Sequence, residues 1–182
     1  EINKHLGISC ASIGTLGFIE NRNKTNNTLT TPDILTNHIK LNEYYKKKIK
    51  NVIIETSSHG LDQGRLRGLV FRSGIFTNFT RDHLDYHKTL KNYLKAKLSL
   101  FSNLLSKNGC IITNSSLNEK YTKHFKNKKL LFGPYGNTIK LISSKACGNM
   151  SLVKINFNNE IFLFKTKLIG RIQIDNLINS IL

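Results

Sequence analysis

Three short apolar runs break off abruptly into polar residues. Val52-Ile53-Ile54 ends at Glu55-Thr56-Ser57-Ser58-His59-Gly60, Gly74-Ile75-Phe76-Thr77 ends at Asn78, and Gly109-Cys110-Ile111-Ile112-Thr113 ends at Asn114. Continuous runs of this length suit strands buried on both faces of a parallel sheet. Helical patterns lie between them, so the expected fold class is α/β, a doubly wound, mostly parallel sheet flanked by helices. Such sheets collect ligands beyond the carboxyl ends of their strands, which brings Glu55, Ser57, Asn78 and His83 towards one edge. From Ile139 the runs become short: Leu141-Ile142-Ser143, Leu152-Val153-Lys154-Ile155-Asn156-Phe157 and Ile161-Phe162-Leu163-Phe164. With Asn158-Asn159-Glu160 as a hairpin turn, they predict a small antiparallel sheet over about 139–165.

Ile2 to Gly7 reads as a helix tail closed by glycine. Gly7 to Ile13 follows as a short buried strand, with a turn at Gly14-Thr15-Leu16-Gly17. Residues 19–29 are polar and Asn-rich, which predicts a mobile loop. Thr31 then suits a helix N-cap, Pro32 the first helical position and Asp33 the positive helix end. The chain begins at Glu1 rather than Met, and Asn176 to Leu182 is helical in pattern with no stop signal. Both ends read as cut, so the expectation is a fragment of something longer.

The 182 residues are enough for one domain with a core. No apolar run approaches the ~18 residues of a membrane span, and no secretory signal opens the chain. Cys10, Cys110 and Cys147 lack disulfide-framework or zinc spacing, which favours a reducing, cytoplasmic setting. The net charge of +17 is carried mostly by lysine, in a chain also rich in Asn and Ile. All three have A/T-rich codons, so genome composition accounts for most of the charge. The lysines are not interleaved with aromatics in any one segment, and a nucleic-acid partner is not expected.

The chemistry-bearing residues crowd into Phe76-Thr77-Asn78-Phe79-Thr80-Arg81-Asp82-His83-Leu84-Asp85-Tyr86-His87. His83 beside Asp82 and Asp85 could ligate a divalent ion, or the cluster could cap the helix that follows. In that helix Leu90, Tyr93, Leu94, Leu100, Phe101 and Leu104 fall within about 60° of Lys97. Lys97 is thus placed in the stripe expected to be buried, where an ammonium is costly. It could snorkel to the surface, or, as a neutral amine, take up carbon dioxide to become a carbamate oxygen ligand for Mg²⁺. Glu55, at a strand end, could be a metal ligand, a base or a solvated cap. Arg65 could hold an anion or lie on the surface.

Four segments together resemble the central domain of the Mur ligases: Thr30-Thr31-Pro32; Glu55 through Arg65, reading Glu-Thr-Ser-Ser-His-Gly-Leu-Asp-Gln-Gly-Arg; the stretch from Phe76 to His87; and Tyr93-Leu94-Lys95-Ala96-Lys97. The wording is most similar to the branch that adds a third peptide residue to the peptidoglycan precursor. The resemblance runs through nearly the whole chain in order. It implies ATP and Mg²⁺ as cofactors, and UDP-N-acetylmuramoyl-L-alanyl-D-glutamate and a diamino acid, diaminopimelate or lysine, as substrates. In that family ATP phosphorylates the substrate carboxylate and the incoming amine attacks the acyl phosphate. The resemblance implies that Glu55 and His83 ligate Mg²⁺ and that Lys97 is carbamylated and positions the second ion. It further implies that Thr30, Thr31, Ser57 and Arg65 contact the UDP-linked substrate with Gln63 close by, and that Asn176 contacts adenine.

Two departures stand out. No GxxxxGK phosphate loop occurs in these residues. Where the family has Gly-x-Phe-Asn-x-x-Asn, this chain reads Gly170-Arg171-Ile172-Gln173-Ile174-Asp175-Asn176, with Ile172 and Gln173 departing and Asn176 matching. The family's N-terminal and C-terminal domains are absent too, so this chain alone is expected to be inactive as a ligase. Rival readings are another Mur or folylpolyglutamate-type ligase, and a non-catalytic or decayed module of the same fold.

Overall fold

The computed structural model describes residues 2–20 and 23–182. The chain divides into two compact units: residues through Leu69 together with Arg81–Leu104, and Val70–Thr80 together with Leu105–Leu182.

The first unit opens with helix α1 (Ile2–His5). The amide of Ile8 returns to Asn3 O at 2.8 Å, and Gly7 adopts the left-handed φ of 66° that this closure requires. Strand β1 (Cys10–Gly14) turns back into β2 (Gly17–Glu20), with Gly14 paired to Gly17. Strand β3 (Asn23–Thr25) pairs with β2, so part of the expected 19–29 loop is hairpin instead; Asn21 and Arg22 lie outside the described residues. Residues too polar to bury a face still form β3 because β2 offers it an open backbone edge.

Helix α2 (Ile34–Lys46) is capped by Asp33 rather than Thr31. The Asp33 carboxylate accepts both the amide and the hydroxyl of Thr36. These bonds hold its pKa below the ordinary carboxylate value. Thr31 does not cap because its hydroxyl is engaged elsewhere. Strand β4 (Asn51–Ile54) runs parallel to β1, and the sheet order is β3-β2-β1-β4. Ala11, Ile13, Phe18 and Tyr44 form its core, with Leu41, Ile49, Val52 and Ile54 packed against them. β4 is thus a sheet-edge strand with Ile53 exposed, not a strand buried on both faces. The unit is completed by α3 (Ser58–Asp62), the single turn α4 (Leu84–His87) and α5 (Leu90–Ser99), which a π-helical turn extends over Leu100–Leu104.

The second unit holds the larger sheet. Strand β5 (Phe71–Phe76) pairs in parallel with β6 (Leu105–Asn114). After the short turn α6 (Ser115–Leu117), β7 (Lys128–Gly133) continues the parallel series. Strands β8 (Ile139–Cys147), β9 (Met150–Phe157) and β10 (Glu160–Thr166) follow. β8 pairs in parallel with β7 and antiparallel with β9, and the sheet order is β10-β9-β8-β7-β6-β5. The antiparallel strands therefore extend the six-stranded sheet instead of standing beside it. Asn158 and Asn159 both have left-handed φ, as a two-residue type I′ hairpin requires. Helix α7 (Arg171–Ile181) buries Ile174 and Ile178 against Phe132, Ile139, Leu141, Val153 and Ile155. The α/β class is thus realised as a six-stranded sheet flanked by helix, plus a smaller four-stranded one. No helix among the described residues is long and apolar enough to cross a membrane.

Candidate functional site

Eight of the nine residues singled out from the sequence, all but Asn176, belong to the first unit. Glu55 follows β4 directly. Its amide donates to Ile13 O at 2.8 Å, and its Oε2 accepts the amide of Thr15 at 2.9 Å. That close approach needs Gly14, because a Cβ there would meet Glu55 Oε2 at 2.7 Å. Oε1 takes no protein donor among the described residues, so one carboxylate oxygen is pinned and the other remains available to a cation.

Thr31 is completely buried. Its hydroxyl donates to Glu55 O at 2.8 Å and accepts the amide of Ser57 at 2.8 Å, with Ser57 Oγ at 3.1 Å. Its side chain therefore ties two loops together rather than facing a ligand. Thr30 is half-buried and shares a 2.9 Å hydroxyl contact with Thr15. Ser57 caps α3 by accepting the amide of Gly60. Arg65 is half-buried and donates to Thr31 O at 2.8 Å and to Gln63 Oε1 at 2.8 Å. Two bonds from one guanidinium to Gln63 and one to a carbonyl fix its plane, which is the preorganisation an anion-binding arginine needs. Fully buried Asn37 supports this from α2, bonding Pro32 O at 2.9 Å and Arg65 O at 3.1 Å. No local sequence signal marks the bond from Asn37 to Arg65, which lies 28 residues away.

A second cluster surrounds α4. His83 and Lys88 bracket it with left-handed φ values of 54° and 65°. His59 of α3 meets the rings of His83, Tyr86 and His87 at centroid distances of 5.1, 4.2 and 5.4 Å. Tyr93 of α5 meets His83 at 5.7 Å and His87 at 5.3 Å. His87 is buried, and its Nε2 lies 3.0 Å from Ser58 Oγ. Tyr86 joins the two clusters: its hydroxyl donates to Asp62 at 3.0 Å and accepts from Gln63 Nε2 at 3.3 Å. Asp82 turns inward on its own motif, accepting the amide of His83 at 2.8 Å, with its other oxygen 3.6 Å from the His83 ring. Asp85 is exposed.

Lys97 is half-buried, with its ammonium 5.3 Å above the Tyr93 ring and 3.5 Å from its hydroxyl. Burial holds its pKa below the ordinary lysine value, against the pull of Asp82. A larger share of neutral amine follows, which is the nucleophilic form. No group of three His, Cys, Asp or Glu side chains among the described residues converges as a metal-ligand set. Mg²⁺ needs no such set, because it commonly takes one or two protein ligands and fills its octahedron with water and phosphate. The available oxygen of Glu55 fits that donor chemistry; the exposed ring of His83 offers nitrogen, and the Lys97 amine would offer oxygen only once converted to a carbamate.

Burial also holds the His87 pKa below the ordinary imidazole value, with His59 and His83 acting in the same sense and Asp62 and Asp85 opposing. The folded chain therefore keeps His87 neutral where the unfolded chain protonates it. The stability linked to this group is present above about pH 6.5 and is lost as pH falls through the folded-state value. We expect the thermal midpoint to fall on acidification below that pH. A His87→Gln variant, keeping a polar partner for Ser58, is expected to show a shallower fall in the same titration.

In the second unit, Asn176 lies exposed on α7 with its carbonyl accepting Ser180 Oγ, and Ile172 is likewise exposed. The neighbouring Asp175 is bound by Arg171 at 2.9 Å and touched by Asn114 at 3.5 Å, and burial raises its pKa. Asn78 belongs to this unit, and Glu55, Ser57 and His83 belong to the first.

The Mur ligase middle domain family matches residues 2–182. The UDP-N-acetylmuramoyl-L-alanyl-D-glutamate–2,6-diaminopimelate ligase of Rickettsia bellii is 38% identical over 98% of this chain and 39% of its own length. The ligase of the same name from Aquifex aeolicus is 34% identical over 91% of this chain and 34% of its own length. A solved structure of a ligase of that name superposes with a TM-score of 0.82 at 28% identity, covering 97% of this chain and 37% of that one. An FPGS–AMPPCP complex shares the fold alone, with a TM-score of 0.70 at 10% identity. The chain thus spans about two fifths of the length of the curated relatives it matches.

Proposed function

We propose, for a chain that belongs to the Mur ligase family, that these residues form the substrate and metal side of an ATP-dependent amide-bond-forming site. The substrate is UDP-N-acetylmuramoyl-L-alanyl-D-glutamate, and the incoming amine is diaminopimelate, the amino acid named in its relatives. The observation that carries this reading is the hydrogen-bonded frame in which Thr31 joins Glu55, Ser57 and Arg65 at one end of the small sheet.

In this reading Arg65, held flat by Gln63 and the Thr31 carbonyl, meets an anionic group of the UDP-linked substrate. Ser57 and Thr30 supply hydroxyls beside it, while Thr31 acts through the backbone it positions. Glu55 and His83 hold Mg²⁺, which neutralises charge on the phosphoryl oxygens when bound. Lys97 acts as a carbamate: its neutral amine attacks the carbon of carbon dioxide, a nitrogen–carbon bond forms, and the amine proton leaves to water. The product is an anionic oxygen ligand in place of a cation. Asn176 is assigned to adenine. In the family that the chain resembles a GxxxxGK loop cradles the nucleotide phosphates, and these residues do not contain one. The chain by itself is therefore proposed to lack ligase activity, and the setting of the activity is cytoplasmic.

The test is a chimera in which this chain replaces the matched segment of the Rickettsia bellii ligase. Arg65→Ala is expected to raise KM for the UDP-linked dipeptide on the order of 10-fold or more, with a smaller change in kcat, since a charged hydrogen bond to substrate is worth about 1.5–3 kcal/mol. An unchanged KM would remove Arg65 from the substrate site.

A further inference from the structure

The strands β8, β9 and β10 present a face that the ligase reading does not use. Their inner side packs on α7 through Ile139, Leu141, Val153 and Ile155, with Phe164 against them. The registers place the outer side in three cross-strand rows. Lys165 lies opposite Leu152, which lies opposite Lys145; Leu163 opposite Lys154, opposite Ser143; and Ile161 opposite Asn156, opposite Lys140. All four lysines of residues 139–166 thus stand on this outer side, and the single acidic residue of that stretch, Glu160, stands opposite Phe157 in the inner-facing alternation.

Two features are unusual for a solvated sheet face. None of the four ammonium groups has an acidic partner within salt-bridge distance among the described residues. Ile161 and Leu163, at the open sheet edge, are 60% and 62% exposed among them. Codon bias accounts for many lysines, but it does not account for large aliphatic side chains left in water between them. Surfaces that combine lysine with protruding aliphatics bind the boundary of an anionic bilayer, where headgroups meet the ammoniums and the apolar side chains enter the acyl region. Arginine forks and aromatic stacking, which single-stranded nucleic acid favours, are both missing from these nine positions.

We infer that the outer face of β8–β10 is a docking surface for an anionic phospholipid bilayer, with Lys140, Lys145, Lys154 and Lys165 on the headgroups and Ile161 and Leu163 inserted. This inference does not depend on the ligase reading, and its failure would leave that reading untouched.

The test is co-sedimentation of the 182-residue chain with vesicles of phosphatidylcholine alone or with about one third phosphatidylglycerol. Binding is expected only to the anionic vesicles, weakening with salt. Lys145→Ser, Lys154→Ser and Lys165→Ser are each expected to lower the partition coefficient about five-fold, the effect of one lysine at an anionic surface. Leu163→Ser is expected to lower it as well, with no change in charge, whereas Lys126→Ser, on another part of the second unit, should change it far less. Hydrogen exchange on the unaltered chain gives a readout that no folding defect can confuse, and the β10 amides should slow when anionic vesicles are added. Equal binding to neutral vesicles, equal loss for Lys126→Ser, an indifferent Leu163→Ser or unchanged β10 exchange would each overturn the inference. So would tighter binding to duplex DNA at the same salt, lost with the same lysines.

Discussion

Replacing Lys97 by Met in the chimera is expected to lower ligation on the order of 10²–10³-fold, the usual effect of removing one preorganised electrostatic group from a transition state. In the 182-residue chain with the Lys97 amine uncarbamylated, the same change is expected to raise stability. The folded-state pKa of Lys97 is depressed by burial. The unfolded chain is therefore favoured by protonation as pH falls below the ordinary lysine value of about 10.4, and at neutral pH the cost of burying the charge is present. Met keeps the length and apolar character of the stem and removes that cost, so the gain in thermal midpoint should vanish above about pH 10.4. A lysine kept for packing would give the opposite pair: activity retained and stability lost. Lys97→Arg separates charge from chemistry, because guanidinium stays protonated and forms no carbamate. It is expected to be as inactive as Met. Dependence of the unaltered chimera on dissolved carbon dioxide is the accompanying readout.

Gly60→Ala is the second large effect, and it acts through folding. A Cβ at Gly60 would lie 2.7 Å from both Cβ and Cγ2 of Thr31. Thr31 is fully buried and held by Glu55 and Ser57, so it cannot swing aside. The start of α3 must move instead, and the Ser57–Thr31 contact and the return bond from the Arg65 amide to Gly60 O move with it. Overpacking of this kind costs about 1–3 kcal/mol. The variant is expected to show that loss in chemical denaturation, together with weakened use of the UDP-linked dipeptide in the chimera. Wild-type stability would show that α3 is looser than the hydrogen bonds around it imply.

The residues that form the candidate site were largely legible from sequence, and their environment was not. Glu55 and Ser57 stand where an apolar run turns polar, a local signal, and Arg65 follows the polar turn that comes next. The reason they meet is tertiary: Thr31 Oγ1 and Asn37 bond residues 24 to 28 positions away, and Gly60 packs on Thr31 through space. Thr31 shows the limit most clearly. As a Thr before a Pro it suits an N-cap, but Asp33 finds two donors on Thr36, and Thr31 is drawn into the junction with Glu55 and Ser57. The ring cluster was half visible. Crowding of Asp and His around His83 marked the place, whereas the burial of His87 on Ser58 and the bridge of Tyr86 to Asp62 and Gln63 depend on how α3, α4 and α5 meet. Strand periodicity found the parallel core and the Asn158-Asn159 turn. It could not tell which sheet each strand would join, because side-chain alternation fixes the buried face and the register of a strand and leaves its neighbour open.

The most direct measurement is product formation by the unaltered chimera, supplied with ATP, Mg²⁺, UDP-N-acetylmuramoyl-L-alanyl-D-glutamate and diaminopimelate, against the parent ligase. The residues described above are predicted to restore turnover, with one ADP released for each amide bond formed and no turnover from the 182-residue chain alone. A chimera that folds and binds nucleotide but forms no amide bond would contradict the assignment of the substrate and metal side of the site to this chain.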